Sequence, residues 1–232
     1  MSRKVLITGA SRGLGLALVE HFLAAGDSVV GCSRSESELE RERYHHVSAD
    51  VTDDEDVNSL FRAVRKHLGG LDILVNNAGT AKMSPMALTP TSVARHVMDI
   101  NFLGTFRMSS QAVRMLRKSS SGRIVNLTTV AVPLRLEGEA VYAASKAAVE
   151  SFTRITAREL GPMGITCNAI GPSPILTDLI RGVPQDKLDA LIKMQAINEW
   201  AKPEDVVNAV DFFVRPESRM ITGQIIYLGG VG

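Results

Sequence analysis

Residues 4–25, KVLITGASRGLGLALVEHFLAA, place a short apolar run, three glycines and an amphipathic helical pattern directly after one another. The apolar run is too short for a helix and is typical of a buried strand. Gly9 permits a tight turn after that strand, and Gly13 and Gly15 let the backbone come close to a bound group. The N-terminus of the following helix offers unpaired N–H groups to an anion. The stretch therefore predicts a strand–turn–helix unit that binds the pyrophosphate of a dinucleotide.

The same alternation of strand and helix continues along the chain. Strands are predicted at residues 4–8, 28–32, 45–48, 73–76, 123–128, 165–170 and 224–227, and helices at 13–25, 54–68, 91–118, 141–160 and 203–214. Strands that alternate with helices of this length indicate right-handed crossovers and a mostly parallel sheet. We predict an α/β protein with a doubly wound Rossmann fold, a sheet of about seven strands and helices on both faces.

No repeat, low-complexity run or long linker divides the chain. We therefore predict one domain over residues 1–232 that both binds the dinucleotide and carries the catalytic residues. Residues 173–200 are the least regular part, because Pro174, Gly182 and Pro184 interrupt short helical stretches. A segment of this kind late in a doubly wound fold is predicted to form a lid over a substrate at the carboxyl ends of the strands.

Charge and composition exclude several classes of function. The chain has 26 basic and 25 acidic residues and a formal net charge of +1, which argues against a nucleic-acid or anionic-membrane binder. No stretch approaches the about 18 apolar residues of a membrane span. Cys32 and Cys167 are isolated and form no metal motif, so we expect no metal and two free thiols in the cytoplasm, with a reactive cysteine as the alternative.

Seven motifs occur in a fixed order. They are TGASRGLG at 8–15, DV at 50–51, NNAG at 76–79, Asn101 within INFLGTF, YAASK at 142–146, NAIGP at 168–172 and ITGQ at 221–224. In order and spacing the chain resembles the short-chain dehydrogenase/reductase family, and in a general way its 3-oxoacyl-thioester reductases. The resemblance implies a nicotinamide cofactor, a small carbonyl or alcohol substrate, and a homodimer or homotetramer.

The residues after the second strand indicate which nicotinamide cofactor is used. NAD-specific relatives carry an acidic residue at the strand end, whereas this chain has Ser33 followed by Arg34. A guanidinium matches the 2′-phosphate of NADP(H), and Arg12 in the glycine loop could reach the same phosphate. The pattern resembles the NADP-preferring branch. The alternative is that both arginines are solvated surface residues.

The resemblance also implies the remaining cofactor contacts. They are Gly9, Ser11, Gly13, Leu14 and Gly15 in the glycine loop, Asp50 and Val51 at the adenine, Asn76, Ala78 and Gly79 in the cleft, Tyr142 and Lys146 at the ribose, and Pro172, Ser173, Ile175 and Thr177 at the nicotinamide. Ser173 stands where many relatives have glycine. Because serine does not adopt a positive φ as readily, the loop over the nicotinamide is expected to take a different path.

Tyr142 and Lys146 are four residues apart, so on a helix they share one face. A free phenol, with a pKa of about 10, is a poor acid near neutrality, and a nearby ammonium is expected to lower that pKa. The resemblance assigns Tyr142 as the catalytic acid/base and Lys146 as its partner. An exposed helical pair is the alternative interpretation.

Two further residues complete the catalytic set that the resemblance implies. The family has a serine about thirteen residues before the tyrosine, and the counted position here is Thr129. Its hydroxyl can orient a substrate carbonyl, although its methyl group takes up space; Thr128 is the alternative. Asn101 matches the residue that holds a water for a proton relay to the lysine, or it is a polar residue in a helix bend.

The leading hypothesis is an NADP(H)-dependent oxidoreductase that interconverts a ketone or 3-oxoacyl group and an alcohol. A non-catalytic regulatory protein that binds NADP(H) and a cofactor-retaining epimerase or dehydratase are the alternatives. The substrate pocket is predicted to be mainly apolar, with one anion contact at Arg135. Its predicted border consists of Met83, Met86, Arg135, Leu136, Leu179, Met194 and Trp200.

Overall fold

Seven strands form one parallel sheet in the computed structural model, which describes residues 2–231 apart from the side chain of Leu179. The prediction for Leu179 thus lies outside the described residues. The strands are β1 Lys4–Thr8, β2 Ser28–Ser33, β3 Tyr44–Ser48, β4 Ile73–Asn76, β5 Arg123–Leu127, β6 Thr166–Gly171 and β7 Ile225–Tyr227. Their order is β3-β2-β1-β4-β5-β6-β7, so the direction of winding reverses between β1 and β4. A crevice forms at such a switch point.

The described residues contain eight α-helices. They are α1 Gly13–Ala24, α2 Asp54–Leu68, α3 Thr91–Met98, α4 Gly104–Leu116, α5 Ala131–Leu134, α6 Ala140–Leu160, α7 Gln185–Lys193 and α8 Pro203–Val214. Five of them, α1, α2, α4, α6 and α8, pack against the sheet. The predicted fold class and the seven predicted strands are confirmed. The single helix predicted at 91–118 is wrong in one respect, because a π-helical turn at Asp99–Leu103 divides it. Of the other helices, α7 falls within the short helical stretches predicted for residues 173–200, whereas α5 was not predicted.

The core lies on both faces of the sheet because successive strand residues point in opposite directions. Leu6 and Leu74 pack toward α2 and α4, whereas Ile7 and Val75 pack toward α1 and α8. Strands buried on both sides need apolar residues throughout, which explains the nearly unbroken apolar runs of the sequence. No helix in residues 2–231 is both long enough and apolar enough to cross a membrane.

Local signals set where the helices begin and end. The Asp53 carboxylate accepts hydrogen bonds from the N–H groups of Glu55 and Asp56 and so caps α2, which ends at Gly69 in the left-handed conformation. By contrast, no side chain in the described part of the chain caps α1. The free N–H groups of α1 therefore face the crevice at the carboxyl end of β1, where an anion can bind them.

Candidate active site

A cleft of about 940 Å³ opens at the carboxyl ends of the strands. Nearly all of the residues predicted for the site line it: Gly9, Ser11, Arg12, Gly13, Leu14, Gly15, Ser33, Arg34, Asp50, Val51, Ala78, Gly79, Thr129, Tyr142, Lys146, Pro172, Ser173, Ile175 and Thr177. Segments that are up to 168 residues apart in the sequence thus meet in one place. Asn76 and Asn101 do not line the cleft.

The glycine loop is closed against the end of β4. Thr8 Oγ1 accepts hydrogen bonds from the backbone N–H groups of Asn77 and Ala78 at 3.0 and 2.9 Å. Gly9 has a φ of 68°, and a Cβ at Gly15 would overlap the carbonyl oxygen of Gly9. Only glycine fits these two positions, and the result is an open backbone cradle at the N-terminus of α1. This cradle fits the pyrophosphate of a dinucleotide.

Asn76 is buried inside the sheet, which corrects the prediction that it contacts the cofactor. Its Nδ2 donates to Ser109 Oγ at 3.0 Å and to Asn126 Oδ1 at 2.8 Å. These two hydrogen bonds connect β4 to α4 and β5. Asn77 lines the cleft instead, and its Nδ2 donates to the carbonyl oxygen of Thr8 at 2.9 Å. Because side chains alternate along a strand, neighbouring asparagines serve opposite faces.

The far end of the cleft carries positive charge. Burial raises the pKa of Asp50, but hydrogen bonds from Thr52 and the charges of Arg34 and His96 more than offset this, so the pKa lies below its ordinary value. Arg34 therefore lies near Asp50. Arg12 Nη1 pairs with Asp178 Oδ2 at 3.0 Å, and the Arg12 side chain stays 74% exposed. This end of the cleft has two guanidinium groups, and it has Ser33 where NAD-specific relatives carry an acidic residue. Both features fit the 2′-phosphate of NADP(H).

Tyr142 and Lys146 are both buried on the cleft side of α6. Lys146 Nζ donates to the carbonyl oxygen of Leu127 at 2.8 Å, and burial lowers the pKa of Lys146 to about 8. Burial raises the pKa of Tyr142 to about 12; the Thr129 hydroxyl lowers it and the charge of Glu139 raises it further. Loss of solvation thus dominates the pKa of Tyr142 in this structure, and the expectation that Lys146 lowers this pKa stays a prediction.

The two threonines at the end of β5 point to different places. Thr129 lines the cleft beside Tyr142, and its Oγ1 accepts a hydrogen bond from the N–H of Ala131 at 3.2 Å. Thr128 Oγ1 donates to Glu150 Oε1 at 2.7 Å. The geometry thus favours Thr129 over Thr128 as the neighbour of the tyrosine, as the spacing predicted.

Asn101 lies in the π-helical turn, fully buried behind Gly79. Its Nδ2 donates to the carbonyl oxygen of Thr80 and to Ser145 Oγ, both at 2.9 Å, and its Oδ1 accepts from the N–H of Thr80 at 2.8 Å. A Cβ on Gly79 would lie 3.2 Å from Asn101 Oδ1 and 3.4 Å from Lys146 Nζ. Asn101 therefore holds the cleft wall beside Lys146. The predicted water relay stays a prediction.

Only some of the residues predicted to border the substrate pocket line the cleft. Met83, Arg135, Leu136 and Met194 line the cleft. The predictions for Met86 and Trp200 are wrong, because these side chains lie outside it. Ser173 keeps a negative φ, and its Oγ donates to the carbonyl oxygen of Leu228 at 2.9 Å. Serine thus needs no left-handed backbone here, and it fastens this loop to the chain after β7.

Glu139 also lines the cleft, although it is not among the residues predicted for the site from the sequence. It lies three residues before Tyr142, lines the cleft, and burial raises its pKa to about 7. A glutamate before a helix is usually solvated, so the sequence carries no sign of this burial. The signal comes only from the packing of distant segments around it.

Known proteins resemble this chain over nearly its full length. A family model described as enoyl-(acyl carrier protein) reductase matches residues 9–230. The 3-oxoacyl-[acyl-carrier-protein] reductase FabG of Vibrio cholerae is 32% identical over 97% of this chain and 95% of its own length. The FabG of Escherichia coli K12 is 31% identical with the same coverage.

A solved structure agrees with these sequence matches. The ligand-free aldohexose dehydrogenase of Thermoplasma acidophilum superposes with a TM-score of 0.89, at 29% identity, over 99% of this chain and 93% of that protein. The family match, the strand order and the cleft at the switch point agree with one another. The chain belongs to the short-chain dehydrogenase/reductase family.

Proposed function

We propose that this oxidoreductase uses NADP(H) to interconvert a carbonyl compound and an alcohol, with Tyr142 as the catalytic acid/base. The observation that carries the proposal is the shared position of Tyr142, Lys146 and Thr129 in the cleft that also contains the glycine loop. The relatives named above support it, since they are named as a 3-oxoacyl reductase and an aldohexose dehydrogenase. Both names describe chemistry at a carbon–oxygen bond.

The glycine loop and the N-terminus of α1 would hold the pyrophosphate of the cofactor, and Asp50 and Val51 the adenine. Arg12 and Arg34 would bind the 2′-phosphate, and Lys146 the ribose next to the nicotinamide. Ile175 and Thr177 would contact the carboxamide. The bound cofactor would supply the hydride in reduction and accept it in oxidation.

The protein itself would handle the proton. Burial raises the pKa of Tyr142 to about 12, so the phenol is protonated near neutrality. Hydride addition turns the carbonyl oxygen into an alkoxide, which is a strong enough base to take the proton of this weak acid. The Thr129 hydroxyl would donate a second hydrogen bond to that oxygen and so orient it. Lys146, with a pKa of about 8, is largely charged below that pH and would stabilise the phenolate that remains.

The test follows the absorbance of NADPH and NADH with a panel of ketones and 3-oxoacyl thioesters. We expect net consumption of NADPH in preference to NADH. Arg34→Asp should weaken NADPH use by about 10- to 100-fold, because charge-assisted phosphate contacts are lost. Arg41→Asp, at an exposed arginine outside the cleft, is the matched control. Unchanged NADPH preference in Arg34→Asp would contradict the cofactor assignment.

The same assay separates the two alternative functions. A regulatory protein would bind NADPH without consuming it with any ketone, and a cofactor-retaining epimerase would convert its substrate without net consumption. The proposed acid/base set argues against the regulatory protein, since a binder has no use for a buried tyrosine and lysine beside its cofactor site.

We also propose that the protein self-associates through α4 and α6. Phe106 and Ile155 are 48% and 55% exposed on these helices, and Phe152 packs edge-on against both Phe102 and Phe106. Such an apolar surface is typical of a subunit interface. Light scattering should find a dimer or tetramer, and Ile155→Glu should shift it toward the monomer.

A further inference from the structure

Glu139 is a buried carboxyl group that the proton chemistry above does not use. Glu139 is only 8% exposed, and its Oε2 atom is fully buried without a hydrogen-bond partner among the described residues. A buried acceptor that stays without a partner costs about 1–3 kcal/mol, so the carboxyl group needs a hydrogen-bond donor from a ligand or a water molecule. The group lies in the wall of the cleft.

The backbone around Glu139 is held from two sides. Gly138 has a φ of 81°, and its carbonyl oxygen accepts a hydrogen bond from the N–H of Ser84 at 2.8 Å. The carbonyl oxygen of Glu139 accepts from the N–H of Ala143 at 2.7 Å in the first turn of α6. The backbone therefore keeps the carboxyl group in the cleft, and the side chain needs no hydrogen bond of its own to stay there.

The surroundings indicate what the carboxyl group can bind. Its charge raises the pKa of Tyr142, so it lies close to the phenol that would donate to the reacting oxygen. Among the described residues it forms no ion pair, and Arg135 on the preceding turn is exposed. A ligand atom that meets Glu139 is therefore close to the reacting carbon, and it must be a hydrogen-bond donor to satisfy the carboxylate.

We propose that the substrate carries a hydroxyl group on the carbon next to the reacting one, and that Glu139 binds this hydroxyl; the inference rests on the proposed carbonyl–alcohol chemistry. The substrate class is then an α-hydroxy carbonyl compound in reduction and a vicinal diol in oxidation. In a 3-oxoacyl thioester the carbons next to the ketone carry only hydrogen and alkyl groups, and the thioester carbonyl lies one carbon further away, so no group there donates a hydrogen bond to a carboxylate.

A hydroxyl is also the partner that suits both protonation states of Glu139. Burial places the pKa of this carboxyl near 7, so the acid and the carboxylate both occur near neutrality. A hydroxyl donates to the carboxylate and accepts from the acid, whereas an ammonium group pairs well only with the carboxylate. The hydroxyl can therefore hydrogen-bond to Glu139 at pH values both below and above the pKa of this carboxyl.

The test compares two ketones that differ in one group, 3-hydroxybutan-2-one and 3-methylbutan-2-one, with NADPH absorbance as the readout. The wild-type protein should prefer the hydroxy ketone in kcat/KM by about tenfold or more. Glu139→Leu should reduce this ratio by about tenfold, and Glu139→Gln, which still accepts a hydrogen bond, should retain most of it. The change in the ratio between variants removes the difference in intrinsic reactivity of the two ketones.

Glu42→Leu, at an exposed carboxylate outside the cleft, is the matched control and should keep the wild-type preference. Thermal unfolding supplies a second readout, since Glu139→Leu should melt no lower than the wild type if the carboxyl group serves a ligand. A lower melting temperature in both Glu139 variants, or an unchanged ketone ratio in Glu139→Leu, would overturn the inference.

Two outcomes separate this inference from the proposed function. Efficient reduction of 3-oxoacyl thioesters that Glu139→Leu leaves intact would overturn the hydroxyl assignment and keep the carbonyl reductase. Binding of NADPH without consumption on any ketone or thioester would overturn both.

Discussion

The cofactor end and the substrate end of the cleft differ in how their polar groups are satisfied. At the cofactor end, Thr8, Asn77 and Asp50 each have hydrogen-bond partners within the protein. At the substrate end, Glu139 lacks a partner for a buried oxygen, and the pKa of Tyr142 is raised to about 12. The polar groups of the cofactor end are thus already hydrogen-bonded within the protein. At the substrate end, a ligand would have to supply the hydrogen bond that Glu139 lacks.

This difference has a physical cause. Under the proposed function, the cofactor end would bind a large anion through backbone N–H groups that the fold already orients. The substrate end would transfer a proton, which requires side chains with shifted pKa values in a poorly hydrated place. Mutations at the two ends should therefore change different measurable quantities.

The largest effect is expected for Tyr142→Phe. Removing the acid/base should lower kcat/KM by about 10³-fold, while NADPH binding stays within about threefold, because the glycine loop is untouched. NADPH consumption and NADPH fluorescence measure the two quantities. Tyr44→Phe, at a half-buried tyrosine at the other side of the sheet, is the control. More than a tenth of wild-type activity in Tyr142→Phe would end the assignment.

Gly15→Ala should damage the cofactor end. Its Cβ would overlap the carbonyl oxygen of Gly9, and neither backbone can move freely, so we expect a loss of at least about 3 kcal/mol in unfolding free energy or in NADPH binding. Gly161→Ala, where a Cβ meets no atom within 4 Å, is the matched control. Urea denaturation and fluorescence titration would reveal the loss, and equal behaviour of the two variants would contradict the close approach.

Glu139→Gln should stabilise the protein at high pH. The folded-state pKa of about 7 lies above the ordinary 4.5, so the folded state binds more protons between these values and wild-type stability falls as the pH rises from 4.5 to 7. The variant should be more stable by about 3 kcal/mol at pH 8 and equal at pH 4. Urea denaturation across this range measures the difference. If the difference in unfolding free energy between the variant and the wild type does not change with pH, burial does not raise the pKa of Glu139.

Ser173→Gly should have the smallest effect. It removes the hydrogen bond from Ser173 Oγ to the carbonyl oxygen of Leu228 and adds backbone freedom, so unfolding free energy should fall by about 1 kcal/mol. Limited proteolysis of residues 173–200 should become faster. If the cleavage rate and the stability both stay at the wild-type values, this bond does not hold residues 173–200 in place.

Much of the fold could be predicted because its signals are local. The predicted strands agree with the observed ones to within a residue or so. Gly9 has a φ of 68°, and Gly15 is required by its contact with the carbonyl oxygen of Gly9 in the same loop. The helix at 91–118 was predicted without its π-helical turn, because the turn is held by the bonds of Asn101 to Thr80 and Ser145. Those partners lie more than 20 residues away in either direction.

The substrate end was predicted less well for the same reason. Nothing in the residues around Glu139 shows that Met83 and Ser84 contact the preceding residue, Gly138. Nor does a Y-x-x-x-K spacing show whether the lysine or the loss of solvent decides the pKa of the tyrosine. In this structure burial decides it.

The sequence by itself determined the glycine loop, the alternation of strand and helix, and the common helix face of Tyr142 and Lys146, because each depends on neighbours within a few turns. Only the tertiary structure decided that Asn77 and not Asn76 lines the cleft, and that Glu139 Oε2 is buried without a partner among the described residues. These outcomes depend on solvation and on contacts between distant segments. Such terms arise only when the chain is packed.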